Sequence, residues 1–195
     1  IPRPETELLV SISADFLLEK ADKKPVVLDL GTGSGVIALV LARLIEDCSI
    51  IATDISSDAL DVARDNIDRF GCNDNVRFVS SDMFDVFDET YEGKFNAIIS
   101  NPPYVSKMDY NELDAWVREE PRTALYSGVE GMDHLSVIAE QSGKFLAKGG
   151  FVAVECGYDQ ASKVKGLFSE HGFSRVTSFK DFNGYERVII GWKRG

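Results

Sequence analysis

Seven short apolar runs rich in Val, Ile and Phe, at 26–30, 50–53, 76–79, 95–99, 151–155, 176–179 and 187–192, are separated by amphipathic segments. Nearly continuous apolar runs belong to strands buried on both faces, and their alternation with helices is the pattern of a parallel sheet covered on both sides. An α/β fold is therefore predicted. The stripes Leu60/Ala63/Ile67/Phe70, Leu135/Ile138/Ser142/Phe145 and Val164/Leu167/His171 repeat at helical spacing and should pack on the sheet. A first helix over 5–19 carries Leu8, Ile12 and Phe16 on one face, with Pro4 suited to its first turn. The alternation breaks near the C-terminus, where Asn183-Gly184 lies between two strand-like runs. Asn-Gly is a strong hairpin signal because both residues accept positive φ. The last strand of a seven-stranded mixed sheet is thus expected to run antiparallel to its neighbour.

A chain of 195 residues can bury one sizeable core, and neither an internal repeat nor a Ser/Gly-rich linker divides it. One domain over 1–195 is expected. Its 21 Lys and Arg against 32 Asp and Glu leave a net charge of −11, a poor balance for a protein that binds mainly by neutralising phosphates. Cys48, Cys72 and Cys156 form no CxxC pair, and His134 and His171 each stand alone. That argues against a disulfide framework, a metal site or a His-based triad, and favours a reducing, cytoplasmic setting. The longest apolar stretch, 36–42, is far too short for a membrane span, so no membrane partner is expected. No basic-then-apolar leader opens the chain, and a start at Ile1 rather than Met reads as a fragment.

The first strand runs directly into Asp29-Leu30-Gly31-Thr32-Gly33-Ser34-Gly35 and then an apolar helix. Glycines at a first strand-to-helix turn let backbone approach a ligand closely. At the end of the second strand stands Asp54, where a carboxylate can accept hydrogen bonds from both hydroxyls of a ribose. The spacing is GxGxG with Asp29 ahead of it, rather than the GxGxxG of a pyrophosphate cradle. A carboxylate there would repel a pyrophosphate but suits the ammonium of an amino-acid head group, which favours S-adenosyl-L-methionine over a nicotinamide cofactor. After the third strand, Asp82 of Ser81-Asp82-Met83-Phe84 can accept from an adenine amine while Met83 packs on the ring; a helix cap and ordinary core packing are the competing readings.

Ser100-Asn101-Pro102-Pro103-Tyr104 follows the fourth strand, at the sheet edge where open α/β folds place ligands. A planar amide or aromatic amine is a poor nucleophile, because its lone pair is delocalised. The side-chain oxygen of Asn101 and the carbonyl of Pro102 can each accept one N–H, aligning the nitrogen and compensating charge that develops during attack. Pro102 and Pro103 stiffen this backbone, and Tyr104 offers a flat wall. No strong base is needed, since the proton becomes acidic only as the new bond forms.

With these residues in hand, the chain resembles the catalytic domain of the bacterial protein-(glutamine-N5) methyltransferases that modify peptide-chain release factors. The resemblance rests on Ile1-Pro2-Arg3-Pro4-Glu5-Thr6-Glu7, Asp29 to Gly35, Asp54-Ile55-Ser56, Ser81 to Phe84 and Asn101 to Tyr104. Further matches are Glu120-Pro121, Ala124-Leu125, Gly128 to Met132, Glu155, Gly157, Gln160 and the Asn183-Gly184 hairpin with Arg187. It implies a class I, Rossmann-like methyltransferase fold. It also implies that Gly31, Thr32, Gly33, Ser34, Gly35, Asp54, Ile55, Asp82, Met83 and Asn101 contact S-adenosyl-L-methionine. Asn101 to Tyr104 would hold the glutamine of a release factor's Gly-Gly-Gln segment. Met83 stands where the family often has a larger aromatic, Ser127 and Glu130 replace a common glycine and aspartate, and the family's small helical domain ahead of Arg3 is not in this chain.

Arg3, Glu5 and Glu7 read equally well as site residues or as a solvated helix start. Tyr110 and Trp116 could roof the acceptor but fit local packing better. The main rival activity is methylation of an exocyclic base nitrogen in RNA or DNA, which poses the same geometric problem. The segment 106–130 carries three basic against six acidic residues, a poor track for a phosphate backbone. A non-catalytic cofactor-binding subunit and a nicotinamide dehydrogenase are the more distant alternatives.

Overall fold

Each of the seven apolar runs forms a strand: β1 (Val26–Leu30), β2 (Ser49–Asp54), β3 (Val76–Ser80), β4 (Phe95–Ser100), β5 (Leu146–Glu155), β6 (Ser174–Lys180) and β7 (Glu186–Trp192). The helices are α1 (Pro4–Leu18), α2 (Val36–Leu44), α3 (Ser57–Phe70), α4 (Lys107–Glu112), α5 (Arg122–Leu125), α6 (Asp133–Phe145) and α7 (Ala161–Glu170). The computed structural model describes residues 3–19, 24–115 and 117–195, so Ile1, Pro2 and the candidate roof residue Trp116 lie outside the described residues.

The strands form one sheet in the order β3-β2-β1-β4-β5-β7-β6. Pairing is parallel except at β7, which inserts antiparallel between β5 and β6. In register, Ile51, Leu28, Ile98 and Val152 form one row across the sheet, and Ala52, Asp29, Ile99 and Ala153 form the next. Successive side chains of a strand point to opposite faces. The first row accordingly packs with α6 and α7, and the apolar members of the second pack with α1 and α2. The five inner strands are buried on both faces, which explains why they read as continuous apolar runs, whereas β3 and β6 at the sheet edges hold no fully buried residue.

Three helical stripes differ from expectation. On α1 the buried residues are Thr6, Leu9, Val10, Ser13, Ala14 and Leu17, while Leu8, Ile12 and Phe16 are half-buried at the margin of the same core. This helix touches α2, β4, β5 and β7, so its contact face is broad and takes in the small polar residues Thr6 and Ser13. On α7 the buried residues are Ala161, Val164 and Phe168; Val164 and the half-buried Leu167 pack on the core as expected, while His171 lies past the last turn and is exposed. Phe70 is 51% exposed, since α3 ends there and Gly71, at φ 68°, turns the chain away.

The β6–β7 hairpin forms, with a different turn. Its loop spans 181–185, and Asp181 Oδ1 accepts from the backbone N–H groups of Asn183 and Tyr185. Only Gly184 of the Asn-Gly pair takes positive φ. A side chain that caps the loop replaces the second left-handed residue a two-residue turn would require. Among the described residues, no helix is long and apolar enough to cross a membrane.

Candidate functional site

The cleft lies at the carboxyl ends of β1, β2 and β4. Ser100 donates its hydroxyl to the Leu30 carbonyl at 2.6 Å, fixing the ends of β4 and β1 together. The Thr32 N–H donates to the Thr53 carbonyl at 2.7 Å and ties the glycine turn to β2. Gly31, Gly33 and Gly35 all have positive φ, but their surroundings differ. A Cβ on Gly31 or Gly33 would meet nothing within 4 Å, because both border open cavity, whereas one on Gly35 would come within 2.9 Å of the Ala63 Cβ on α3. Two glycines thus keep the cleft open and the third admits a helix.

Asp29 was expected beside the ligand, and the structure places it underneath the turn instead. It is 0% exposed and lines neither cavity of the cleft. Its Oδ2 accepts from the Thr32 hydroxyl at 2.6 Å and the Ala38 N–H at 3.1 Å, while Oδ1 has no hydrogen-bond partner. Burial pushes its pKa up to about 7, against the lowering effect of those two bonds. The physical reason is strand alternation: the side chain of β1 residue 29 faces the α1 and α2 layer.

Asp54 ends β2 with Oδ2 accepting from Gly33 N–H and Oδ1 from Ser56 N–H, both at 2.9 Å. Each carboxylate oxygen keeps a further lone pair for a ligand hydroxyl. Asp54, Ile55, Asp82 and Met83 line a cavity of about 160 Å³ together with Gly31 and Gly33. Met83 sits at φ 44°, an uncommon place for a side chain of its size. The Ser81 hydroxyl holds that turn, donating to the Met83 carbonyl and accepting from the Val86 N–H. His134 also reaches this cavity from the start of α6, its Nδ1 2.7 Å from the Ser127 hydroxyl. Burial lowers its pKa, opposed by Asp82 and Asp133.

The second cavity, of about 240 Å³, adjoins the first across Gly31, Gly33 and Ala124. Asn101, Pro102 and Tyr104 line it, facing Arg3 and Thr6 from α1 and its approach; Pro103 lines the first cavity. Asn101 Nδ2 donates to the Thr6 hydroxyl at 3.0 Å, and that hydroxyl donates to Glu155 Oε2 at 2.8 Å. The Tyr104 hydroxyl donates to Glu155 Oε1 at 3.1 Å and accepts from Arg187 Nη2 at 3.0 Å. Arg187 also donates from Nε to the Cys156 carbonyl and lies 3.5 Å from a Glu5 oxygen. Burial raises the pKa of Glu155 against its bonds to Thr6 and Tyr104 and the charge of Arg187. Burial, with the Glu155 charge adding to it, pushes the Tyr104 phenol up to about 12.

Of the opening segment, Arg3 pairs with Glu120 at 2.7 Å on the cavity wall, Glu5 reaches Arg187, and Glu7 is exposed. Tyr110 packs edge-on against Tyr126 under the Arg122 guanidinium. Gln160 donates to the carbonyls of Tyr104 and Gly131, pinning the exit of the Asn-Pro-Pro-Tyr segment. Thr6, Glu155 and Arg187 stood in segments that carry the resemblance, yet nothing in their local spacing gives them a place in this cleft. The arrangement can hold an elongated ligand along one cavity and present hydrogen-bond acceptors to a planar N–H group at the other.

A family model described as methyltransferase small domain matches residues 7–127. A release factor glutamine methyltransferase of Agrobacterium fabrum is 39% identical over 191 residues, which cover 96% of this chain and 65% of that protein. One of Haemophilus influenzae is 38% identical over 206 residues, covering 100% of this chain and 68% of that protein. The chain thus spans about two thirds of the length of these curated relatives. Among solved structures, a methyltransferase from Pyrococcus furiosus superposes with a TM-score of 0.64 at 24% identity, over 94% of this chain and 83% of that one, a likeness of fold.

Proposed function

We propose, because the chain belongs to the methyltransferase small-domain family and with it to the release factor glutamine methyltransferases, that it methylates a protein glutamine. The donor is S-adenosyl-L-methionine, and the acceptor is the side-chain amide nitrogen in the Gly-Gly-Gln segment of a peptide-chain release factor. The setting is the cytoplasm, and residues 1–195 are the catalytic unit. The observation that carries this reading is the pair of cavities meeting at Gly31 and Gly33, with Asp54 on one and Asn101 on the other.

The residues present fit the donor. Open space where a Cβ would stand on Gly31 and Gly33 leaves room for an amino-acid tail along the backbone. Asp54 would take the ribose hydroxyls on its free lone pairs, Asp82 the adenine amine, and Met83 and Ile55 the faces of the base and sugar. When bound, the donor supplies an electrophilic methyl carbon on a positively charged sulfur.

The acceptor side orients a weak nucleophile. Asn101 Oδ1 and the Pro102 carbonyl would each accept one N–H of the substrate amide, so that its nitrogen lone pair faces the donor cavity. As the nitrogen gains a bond it gains positive charge, and the two acceptors stabilise that charge without reorganising. Tyr104 is walled in by Glu155 and Arg187, so its ring gives the planar amide a fixed surface. With its pKa near 12 the phenol stays protonated and is no base. The amide proton, acidic once the bond has formed, leaves to solvent.

The test is incubation of the native protein with methyl-labelled S-adenosyl-L-methionine and, in parallel arms, purified release factor, RNA and DNA, followed by mass mapping of the label. Label on the Gly-Gly-Gln glutamine is expected. Label on a base, or none in any arm, would overturn the assignment.

A further inference from the structure

Glu155 is 0% exposed at the end of β5, and both of its oxygens are spent on residues of the acceptor cavity. A carboxylate only accepts hydrogen bonds, so the Thr6 hydroxyl must give it its single proton. With that proton committed, the Thr6 oxygen can only accept. Its other neighbour, Asn101 at 3.0 Å, must therefore turn its NH2 toward Thr6. The reverse flip would set two acceptor oxygens against each other. The consequence is directional, since with Nδ2 held by α1 the Oδ1 atom is left for the cavity that Asn101 and Thr6 line together.

The flip matters because the two ends of an Asn amide have nearly the same shape and opposite hydrogen-bonding character. A flipped Asn101 would present NH2 to the NH2 of a substrate amide, donor against donor. The same carboxylate orders Tyr104: its hydroxyl proton goes to Glu155 Oε1, leaving the oxygen to accept from Arg187. One buried group thus sets the polarity of two neighbours that differ from it by 149 and 51 positions in sequence.

We propose that Glu155, acting through the Thr6 hydroxyl, is a positioning residue that fixes the flip of Asn101 so that its oxygen faces the acceptor. This rests on the glutamine-amide reading of the site. Its signature is a loss in the chemical step with donor binding untouched, because neither Thr6 nor Glu155 lines the cavity assigned to adenosine.

The experiment compares Thr6→Val and Thr6→Ser in the native protein, with release factor as acceptor. Val keeps the shape and removes the hydroxyl; Ser restores it. Thr6→Val is expected to lower kcat by about 10- to 100-fold, the usual effect of removing a partner that orients a site ligand. KM for S-adenosyl-L-methionine should stay within about twofold, and Thr6→Ser should recover most of the rate. An unchanged kcat in Thr6→Val, or a Ser variant as slow as the Val variant, would overturn the proposal. A second readout needs no variant at position 6: the Asn101 side-chain NH2, assigned in NMR spectra by its loss in Asn101→Ala, should exchange slowly with water. Free exchange in the unsubstituted protein would overturn the proposal even if Thr6→Val fails to fold. Absence of glutamine methylation by the unsubstituted protein is a different failure, because it removes the functional reading and the positioning role with it.

Discussion

On the side of the cleft assigned to the donor, the polar contacts are shorter in sequence: Thr32 bonds Asp29 three residues away, Ser56 bonds Asp54 two residues away, and the ties of Gly33 to Asp54 and Thr32 to Thr53 cross only to the next strand, 21 residues on. On the acceptor side they join positions 51, 83, 95 and 149 residues apart. The first is built mainly from backbone shape at strand ends, and the second from side chains that meet only when α1, β4, β5 and β7 have assembled. A turn made of local contacts can form with its own strand and helix. A side-chain network of this span has no partial form, so damage to one member should reach the others.

Substitutions on each side can break this contrast. The largest effect is expected for Asn101→Ala, with turnover down by about 10²- to 10³-fold and donor affinity within a few-fold, measured by steady-state kinetics and calorimetry. Near-normal turnover would remove Asn101 from the mechanism. Gly35→Ala comes next, on stability. Positive φ and a 2.9 Å approach to Ala63 act together, for about 3 kcal/mol in denaturant unfolding. Gly31→Ala shares the positive φ but meets open space, so it should cost less stability and more donor binding.

Asp54→Ala should weaken donor binding about 100-fold, the ~2.7 kcal/mol of one or two charge-assisted hydrogen bonds, and leave kcat at saturating donor nearly intact. A pH-dependent effect concerns Asp29. Its folded-state pKa is raised from 3.8 to about 7, so between those values the folded chain holds a proton that the unfolded chain has released. Stability should therefore fall as pH rises through that window, by up to ~4 kcal/mol for a shift of that size, and Asp29→Asn should flatten the profile. An unchanged pH slope in the variant would mean that Asp29 titrates normally.

The same contrast sets what could be read from the chain alone. The five inner strands were legible because burial on both faces writes itself into runs of five to ten neighbours, and the edge strands β3 and β6, which hold no fully buried residue, were legible from their β-branched and aromatic residues. The GxGxG turn was legible because positive φ selects glycine position by position. Helical stripes were partly legible: α6 buries Leu135, Ile138, Ser142 and Phe145 as spaced, while α7 buries Phe168 alongside Val164 and leaves out His171, because only the sheet decides which side of a helix faces in. Asp29 was misplaced for a related reason, since its motif gives its neighbours but not the face of β1 from which it projects.

What the amino-acid order determined by itself was therefore the set of elements, the open glycine turn and the Asn-Pro-Pro-Tyr exit of β4, each governed by forces acting within a few residues. The sheet order decided the rest. By inserting β7 antiparallel beside β5, it sets Arg187 next to Glu155 and Cys156, and by laying α1 across β4, β5 and β7 it brings Thr6 between Glu155 and Asn101. Hydrogen-bond direction then passes from a buried carboxylate to a hydroxyl to an amide. That sequence of donors and acceptors exists only in three dimensions, because each member is supplied by a different element.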